Sequence, residues 1–547
     1  MKGFQINIAD TLRSSVYFAD DYDSFVLKNE SLEIAVEGLI LNKAPLLKAN
    51  NTSDFPTLFE KFYKEKKINA IQKLEGEFRG YIWDKSEEKL YVFTNPTATQ
   101  RVFYSKEKDR VFVDSHLVRL NQTLRETQIR TTPNITNLYQ LLAFGNMLEN
   151  ETPVENVYKI LDGHYLEIDL KTQVIVQKTY FDLENITYFQ GSKEEAIENL
   201  NSIFSENIAF EYEKDNELNA KHFTLLSGGL DSRMGLLTAV ELGYKPDEAF
   251  CFSQSGYLDE TISRKIAADY HIPYRFQSLD GGIYLKYIDK LTDLSEGCGL
   301  FTGGIHVQYA FENLNPIDFK IVHSGSIGDG ILGGFNTAPR RQKPGEFKIV
   351  VNKRFLPKVR SAFDEIRNLY ESEELFYLRN VAYNRTVLGA QVIQQYAYQT
   401  SPFMSQKMLE LAISLPEKWK INQKLYLEWL NQYLPNAANY TWEKTGMRPD
   451  AQWKSTFGPK VLKRIFKIWN SKITRQTERT SMYPYEFYYY NSRDIQDYYQ
   501  SYFAGNLWRL ENYPELKTDV EFLFSQKDFY QKSQAVNILA IFKLFFN

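Results

Sequence analysis

One string constrains this chain more than any other: Leu225-Leu226-Ser227-Gly228-Gly229-Leu230-Asp231-Ser232. The apolar run Phe223-Thr224-Leu225-Leu226 reads as a buried strand, and the residues from about Asp231 to Leu242 read as a helix. Two glycines between them permit a tight turn with exposed N–H groups. The helix start adds positive potential, so the turn suits a pyrophosphate. Ser227 and Ser232 offer hydroxyl donors, and Asp231 offers a carboxylate of the kind magnesium takes. Any one of these residues is ordinary at a capped helix start. The whole string, between a strand and a helix, favours the phosphate.

The chain around it alternates strand and helix. Glu194 to Phe210 has helical spacing, Ala249–Phe252 is a second strand, Asp259–Tyr270 a second helix, and Phe319–Val322 a third strand. That pattern predicts an α/β domain with a parallel sheet, followed by a mostly helical part from about Arg354. The first ~180 residues differ. They read as short strands, with a hairpin over Phe78–Trp83 and Lys89–Phe93, a pair at Tyr165–Ile168 and Val174–Val176, and helical periodicity at Pro56–Lys73. The polar stretch Asn185–Lys193 is the expected linker between domains over 1–188 and 194–547.

Composition narrows the partners. The 547 residues are 43% apolar and 24% charged, with a net charge of −4, which argues against a broad basic nucleic-acid surface. No apolar run reaches the ~18 residues of a membrane span, so no membrane partner is expected. Cys251 and Cys298 are the only cysteines, too few for a disulfide framework or a four-cysteine zinc site, and a cytoplasmic setting is expected.

A second loop pairs with the first. Ile321-Val322-His323-Ser324-Gly325-Ser326-Ile327-Gly328-Asp329-Gly330 also follows a strand and holds a carboxylate in a glycine turn. The first string lacks the Gly-Lys-Ser/Thr of the common phosphate loop and resembles the pyrophosphatase loop of the N-type ATP pyrophosphatases. With Phe252-Ser253-Gln254-Ser255-Gly256, Pro402-Phe403-Met404 and Trp442-Glu443-Lys444-Thr445-Gly446, the chain resembles the asparagine synthetase-like family. In the first domain, Glu37–Asn42, Leu74-Glu75-Gly76-Glu77-Phe78 and Phe103-Tyr104 resemble that family's glutaminase half.

The resemblance implies a two-domain α/β protein. The first domain would be an N-terminal-nucleophile-hydrolase-like αββα sandwich. The second would be a parallel-sheet, adenine nucleotide α-hydrolase-like synthetase domain with a helical end. It further implies ATP and Mg²⁺: Leu226, Ser227, Gly228, Gly229, Leu230, Asp231, Ser232, Phe252, Ser253 and Gly325 at the nucleotide, Asp231 and Asp329 at the metal, and Lys444 at the transition state. The implied partners are a small-molecule or peptide carboxylate and an amine, with a homodimer or a pathway protein also open.

Two departures shape the expected activity. A glutaminase of this type uses a cysteine next to the initiator methionine, and this chain has Lys2. Glutamine hydrolysis is therefore not expected, and the resemblance shifts toward β-lactam synthetases and lasso-peptide cyclases, which use an amine already in the substrate. Ser326 and Tyr398 stand where relatives carry groups that activate the amine, and neither is an obvious base. His306 and His323 lie nearby and could take that role, but a hydrogen-bonded packing residue is the default reading of each. The expectation is an AMP-forming amide synthetase without its own glutaminase. An ammonia-dependent asparagine synthetase and a nucleotide-binding, non-catalytic scaffold are the alternatives.

Overall fold

The computed structural model describes residues 2–18, 22–314, 319–336, 344–346, 349–449 and 481–546. The basic run at Arg340, Arg341 and Lys343 lies outside them.

The first 180 residues build β1 (Gly3–Ile8), β2 (Leu12–Tyr17), β3 (Phe25–Lys28), β4 (Leu32–Ile40), β5 (Gly76–Asp84), β6 (Lys89–Thr94), β7 (Phe103–Glu107), β8 (Arg110–Asp114), β9 (Val157–Lys159), β10 (His164–Asp169) and β11 (Ile175–Thr179). They form two antiparallel sheets, ordered β2-β1-β8-β7-β9 and β11-β10-β6-β5-β4-β3. Phe4, Ile6 and Val113 of one sheet meet Ala35, Tyr81 and Val92 of the other in a shared core. Among the flanking helices are α1 (Lys43–Ala49), α2 (Phe55–Lys66), α3 (Leu117–Glu126) and α4 (Ile135–Phe144). Phe59 of α2 packs on the outer face of the β3-edged sheet with Ile34 and Phe93. Leu120 of α3 and Leu141 of α4 pack with Phe103 and Phe112 of the other sheet. This is an αββα sandwich. The hairpin read at β5 and β6 is present, and Asp84 ties its turn by accepting from the main-chain N–H groups of Ser86 and Glu87.

The second half opens with α5 (Lys193–Glu217), which runs seven residues past the Phe210 end that its periodicity suggested. Ser192 and Glu195 form a reciprocal capping box that starts it at the expected linker. A parallel sheet follows: β12 (Phe223–Leu225), β13 (Glu248–Ser253), β14 (Tyr274–Ser278), β15 (Ile321–His323) and β16 (Tyr398–Thr400), in the order β14-β13-β12-β15-β16. The third strand begins two residues later than its expected Phe319 start. β14 and β16 escaped the sequence reading. β14 is a half-exposed edge strand without a continuous apolar run, and β16 has only three residues.

α6 (Leu230–Glu241) and α7 (Leu258–Asp269) follow β12 and β13. Strand order reverses between β12 and β15, so the loops leaving their C-terminal ends open a crevice where α/β sheets bind ligands. The halves are stitched together. Lys214 of α5 ion-pairs with Asp23 at 2.7 Å, Gln406 donates its main-chain N–H to Glu75 at 3.2 Å, and Arg101 donates to the Ser295 carbonyl at 3.1 Å. The apolar tail is the helix Phe529–Phe545, buried in the core that also holds α3 and α4. Among the described residues no helix is long and apolar enough to cross a membrane.

Candidate active site

A cleft of about 380 Å³ lies at the switch point, lined by both glycine loops, the end of β13 and the Trp442–Lys444 segment. That volume suits a small-molecule ligand. Leu226, Ser227, Gly229, Leu230, Asp231, Ser232, Phe252, Gly325, Ser326, Asp329 and Lys444 all line it.

The turn after β12 is already hydrogen-bonded within itself. Ser227 N–H donates to Ser232 Oγ (3.1 Å), Gly229 N–H to Ser227 Oγ (3.1 Å), and Gly228 N–H to Asp259 Oδ1 (2.9 Å). The glycines therefore do not offer the bare N–H groups expected of them. Anion-binding capacity passes to the serine hydroxyls and to the first turn of α6, whose N–H groups lack intrahelical acceptors. Gly228 has another role, because a Cβ there would lie 2.8 Å from Glu443 Cβ. Gly325 serves close approach too: a Cβ would come 2.3 Å from the Asp231 carbonyl carbon, so only glycine lets the two loops touch.

That contact brings the two carboxylates together. Asp329 N–H donates to Asp231 Oδ2 at 2.9 Å, and Tyr426 OH donates to Asp231 Oδ1 at 2.6 Å. Burial first, and the Asp329 charge second, push Asp231 up to about 7. A buried carboxylate raised in this way is stabilised by a cation. Lys444 supplies one, with Nζ 3.2 Å from Asp329 Oδ2. The same pair of oxygen donors fits a magnesium ion with its phosphate partners.

Five expected residues sit elsewhere. Gly228 faces Glu443 instead of the cleft. Ser253 is buried and turns its hydroxyl to the Gln254 carbonyl. Tyr398 packs edge-on against Tyr22, with centroids 4.8 Å apart, toward Glu37 and Arg79 of the first domain. Side chains alternate along β16, so its neighbour Gln399 takes the position by the cleft and donates to Ser326 Oγ at 2.6 Å. His306 lies behind Phe252, with Nδ1 2.8 Å from Tyr485 OH, and burial depresses it to about 3. It is a neutral packing residue. His323 also points away, between Asp215 (2.6 Å) and Glu211 (3.0 Å) of α5. Asp215, His222 and His323 bring metal-ligand atoms within 4.8 Å of one another there, yet hydrogen bonds of 2.9 and 2.6 Å already join them.

Sequence reasoning missed Tyr426, Gln423, Gln399 and Met482. Gln423 lies between the Asp329 carbonyl (3.4 Å) and Lys444 Nζ (3.5 Å), with a left-handed φ of 60°. Met482 lines the cleft, and its carbonyl accepts from Gln254 N–H at 2.7 Å. None belongs to a motif, and only the fold brings them near. The tyrosine-rich stretch Tyr483–Tyr490 packs among the C-terminal helices: Tyr485, Tyr488 and Tyr489 are buried, and Tyr489 meets Tyr499 and Phe529.

A glutamine amidotransferase domain family matches residues 24–181. Asparagine synthetase [glutamine-hydrolyzing] 2 of Bacillus subtilis (strain 168) is 25% identical over 265 residues, 46% of this chain and 34% of the relative. Asparagine synthetase [glutamine-hydrolyzing] 1 of the same organism is 22% identical over 302 residues, 54% of this chain and 46% of the relative. The match thus spans less than half the length of either curated relative. Among solved structures, the NMN synthetase from Francisella tularensis aligns over 43% of this chain and 97% of its own, at 14% identity and a TM-score of 0.19.

Proposed function

Taking the chain as asparagine synthetase-like, the family its matches support, we propose that it is an ATP-dependent amide synthetase without glutaminase activity. The carboxylate oxygen of the substrate attacks the α-phosphorus of ATP, and pyrophosphate leaves with the electron pair of the broken P–O bond. An amine then attacks the acyl carbon of the adenylate. It loses its proton, AMP departs, and the amide remains.

The reading rests on one observation: loops from adjacent parallel strands carry Asp231 and Asp329 to the same end of one cleft, with Lys444 across from them. Ser227, Ser232 and the α6 N-terminus hold pyrophosphate in this proposal. Asp231 and Asp329 hold Mg²⁺, which when bound neutralises phosphate charge. Lys444 stabilises the charge that develops on the phosphoryl and acyl oxygens.

The first domain is read as scaffold. Lys2 stands where the nucleophile would be, and its carbonyl is held by His116 at 2.6 Å and Arg79 at 3.3 Å. The Ser326 side chain pairs with the Ser324 hydroxyl and the Gln399 amide instead of a carboxylate among the described residues, which supports an amine carried by the substrate over free ammonium.

Product analysis tests the proposal. The protein, ATP and Mg²⁺ are incubated with a panel of carboxylates, including aspartate with and without ammonium, and peptides bearing both a carboxylate and an amine. AMP and pyrophosphate that require both a carboxylate and Asp231 support it. Absence of ATP binding in the presence of Mg²⁺ removes it, and leaves the non-catalytic scaffold.

A further inference from the structure

Arg233 follows the phosphate string by one residue and is fully buried. Its two terminal guanidinium nitrogens donate to main-chain carbonyls, while Nε is buried without a hydrogen-bond partner. Nη1 donates to Ala437 (3.0 Å) and Tyr440 (3.1 Å), and Nη2 donates to Gly228 (3.1 Å) and Thr441 (2.6 Å). Burial lowers its pKa to about 10, and the phenols of Tyr426 and Tyr440 lie close enough to oppose that shift. Removing a guanidinium from water is costly, and charge-assisted hydrogen bonds offset that cost only where the geometry is good.

The four carbonyls belong to two segments. Gly228 is the turn itself; Ala437, Tyr440 and Thr441 lead into Trp442-Glu443-Lys444. The Gly228 carbonyl is shared, because Glu443 N–H donates to it as well, at 3.1 Å. The turn proposed to hold pyrophosphate and the segment carrying Lys444 are thus joined at one carbonyl, and the guanidinium fork braces the joint from behind. A lysine ammonium has three donors at one point and cannot span four carbonyls on two segments.

We propose that Arg233 is a positioning residue that couples nucleotide occupancy of the turn to the placement of Lys444. This rests on the ATP-dependent reading above. Arg233 does not line the cleft or touch the reacting atoms; it fixes the distance between two groups that do. Preorganisation of this kind matters because a displacement of about 1 Å can cost around 100-fold in rate.

The test is amide hydrogen exchange on the full chain, with and without ATP and Mg²⁺, alongside calorimetric measurement of ATP binding. In the wild type, ATP should slow exchange in residues 226–232 and also in 437–447. In Arg233→Lys the turn should still be protected, while protection of 437–447 falls roughly tenfold, in the range of ordinary coupling energies. A residue that only stabilises the fold would loosen both segments with or without nucleotide. Lys444→Met should keep the coupled protection, since the main-chain link survives. If Arg233→Lys does not fold, Arg233→Gln, which retains two donors, takes its place. Wild-type protection of both segments in a folded variant overturns the proposal alone. Failure of the wild type to bind ATP overturns the amide synthetase reading, and this coupling with it.

Discussion

Asp329 donates its main-chain N–H to the side chain of Asp231 at 2.9 Å, so the two carboxylates belong to one hydrogen-bonded unit even though 98 residues separate them. Burial of Asp231 first, and the nearby Asp329 charge second, raise its carboxyl to about 7. A site with that penalty built in gains from any cation placed between its oxygens.

Asp329→Asn removes one of those charges. The Asp329 side chain is 48% exposed, so the fold should tolerate the change. Calorimetry with Mg²⁺ and ATP should show at least about tenfold weaker binding, since one of two carboxylate donors is gone. The thermal midpoint should not fall, because repulsion with Asp231 is relieved. Unchanged Mg²⁺-dependent affinity would remove Asp329 from the metal site.

Tyr426→Phe deletes the donor that orients Asp231 Oδ1. Partners behind a metal ligand commonly change affinity by about 10–100-fold. Mg²⁺ titrations at fixed ATP should show a loss of roughly tenfold, with a stability cost of about 1 kcal/mol from the lost buried hydrogen bond.

Lys444→Met tests the lysine against simple nucleotide binding. AMP formation should fall by about 100- to 1000-fold, the range seen when one group stabilising a transition-state oxyanion is removed. ATP affinity should change by less than about tenfold, because the ammonium is proposed to act on charge that appears only during reaction. Equal losses in both measurements would make Lys444 a ground-state binding residue.

Incubation with glutamine should release no glutamate, assayed enzymatically over hours. Lys2 carries no thiol or hydroxyl, and the Arg79 and His116 side chains occupy its carbonyl. Steady glutamate formation would show a nucleophile elsewhere in the first domain.

His323 gives a pH signature separate from the cleft. Burial alone would depress its imidazole; Asp215 first and Glu211 second outweigh burial and raise it to about 9. His222 also reaches Asp215, and the Tyr212 ring stacks on His323 with centroids 4.3 Å apart. A folded pKa above the ordinary 6.5 means the bridge contributes fully below about pH 6.5 and is lost as pH rises through about 9. Urea unfolding of the wild type should lose about 3 kcal/mol more than that of His323→Gln between pH 6.5 and 9.5. Parallel curves for the two proteins would show that the bridge carries no charge.

The legible part of this chain was the part whose chemistry is local. The strand, glycine turn and helix over β12, Ser227–Gly229 and α6 were legible because they follow one another without a break. The β5–β6 hairpin read correctly because its apolar alternation and polar turn are contiguous. Tyr398 was placed by sequence alignment with the family pattern and turned out to face the first domain. Strand parity decides that, and three residues carry too little pattern to show it. His306 and His323 are packing residues, the default for histidine near such loops: burial makes one neutral, and ion pairing with Asp215 and Glu211 takes the other away from the cleft.

The αββα layering was implied only by the family resemblance; what the sequence determined by itself was a strand-rich first half, a parallel-sheet second half, and a glycine turn after a central strand. Each follows from hydrophobic periodicity and from what glycine permits over a few consecutive residues. What only the tertiary structure decided was which side chains meet. Asp231 reaches Asp329 because β12 and β15 are neighbours; Tyr426 reaches Asp231, and Arg233 reaches Ala437, Tyr440 and Thr441, because helical segments about 200 residues downstream pack on α6. Those distances come from packing in three dimensions, and a linear string of residues holds no record of them until the chain has folded.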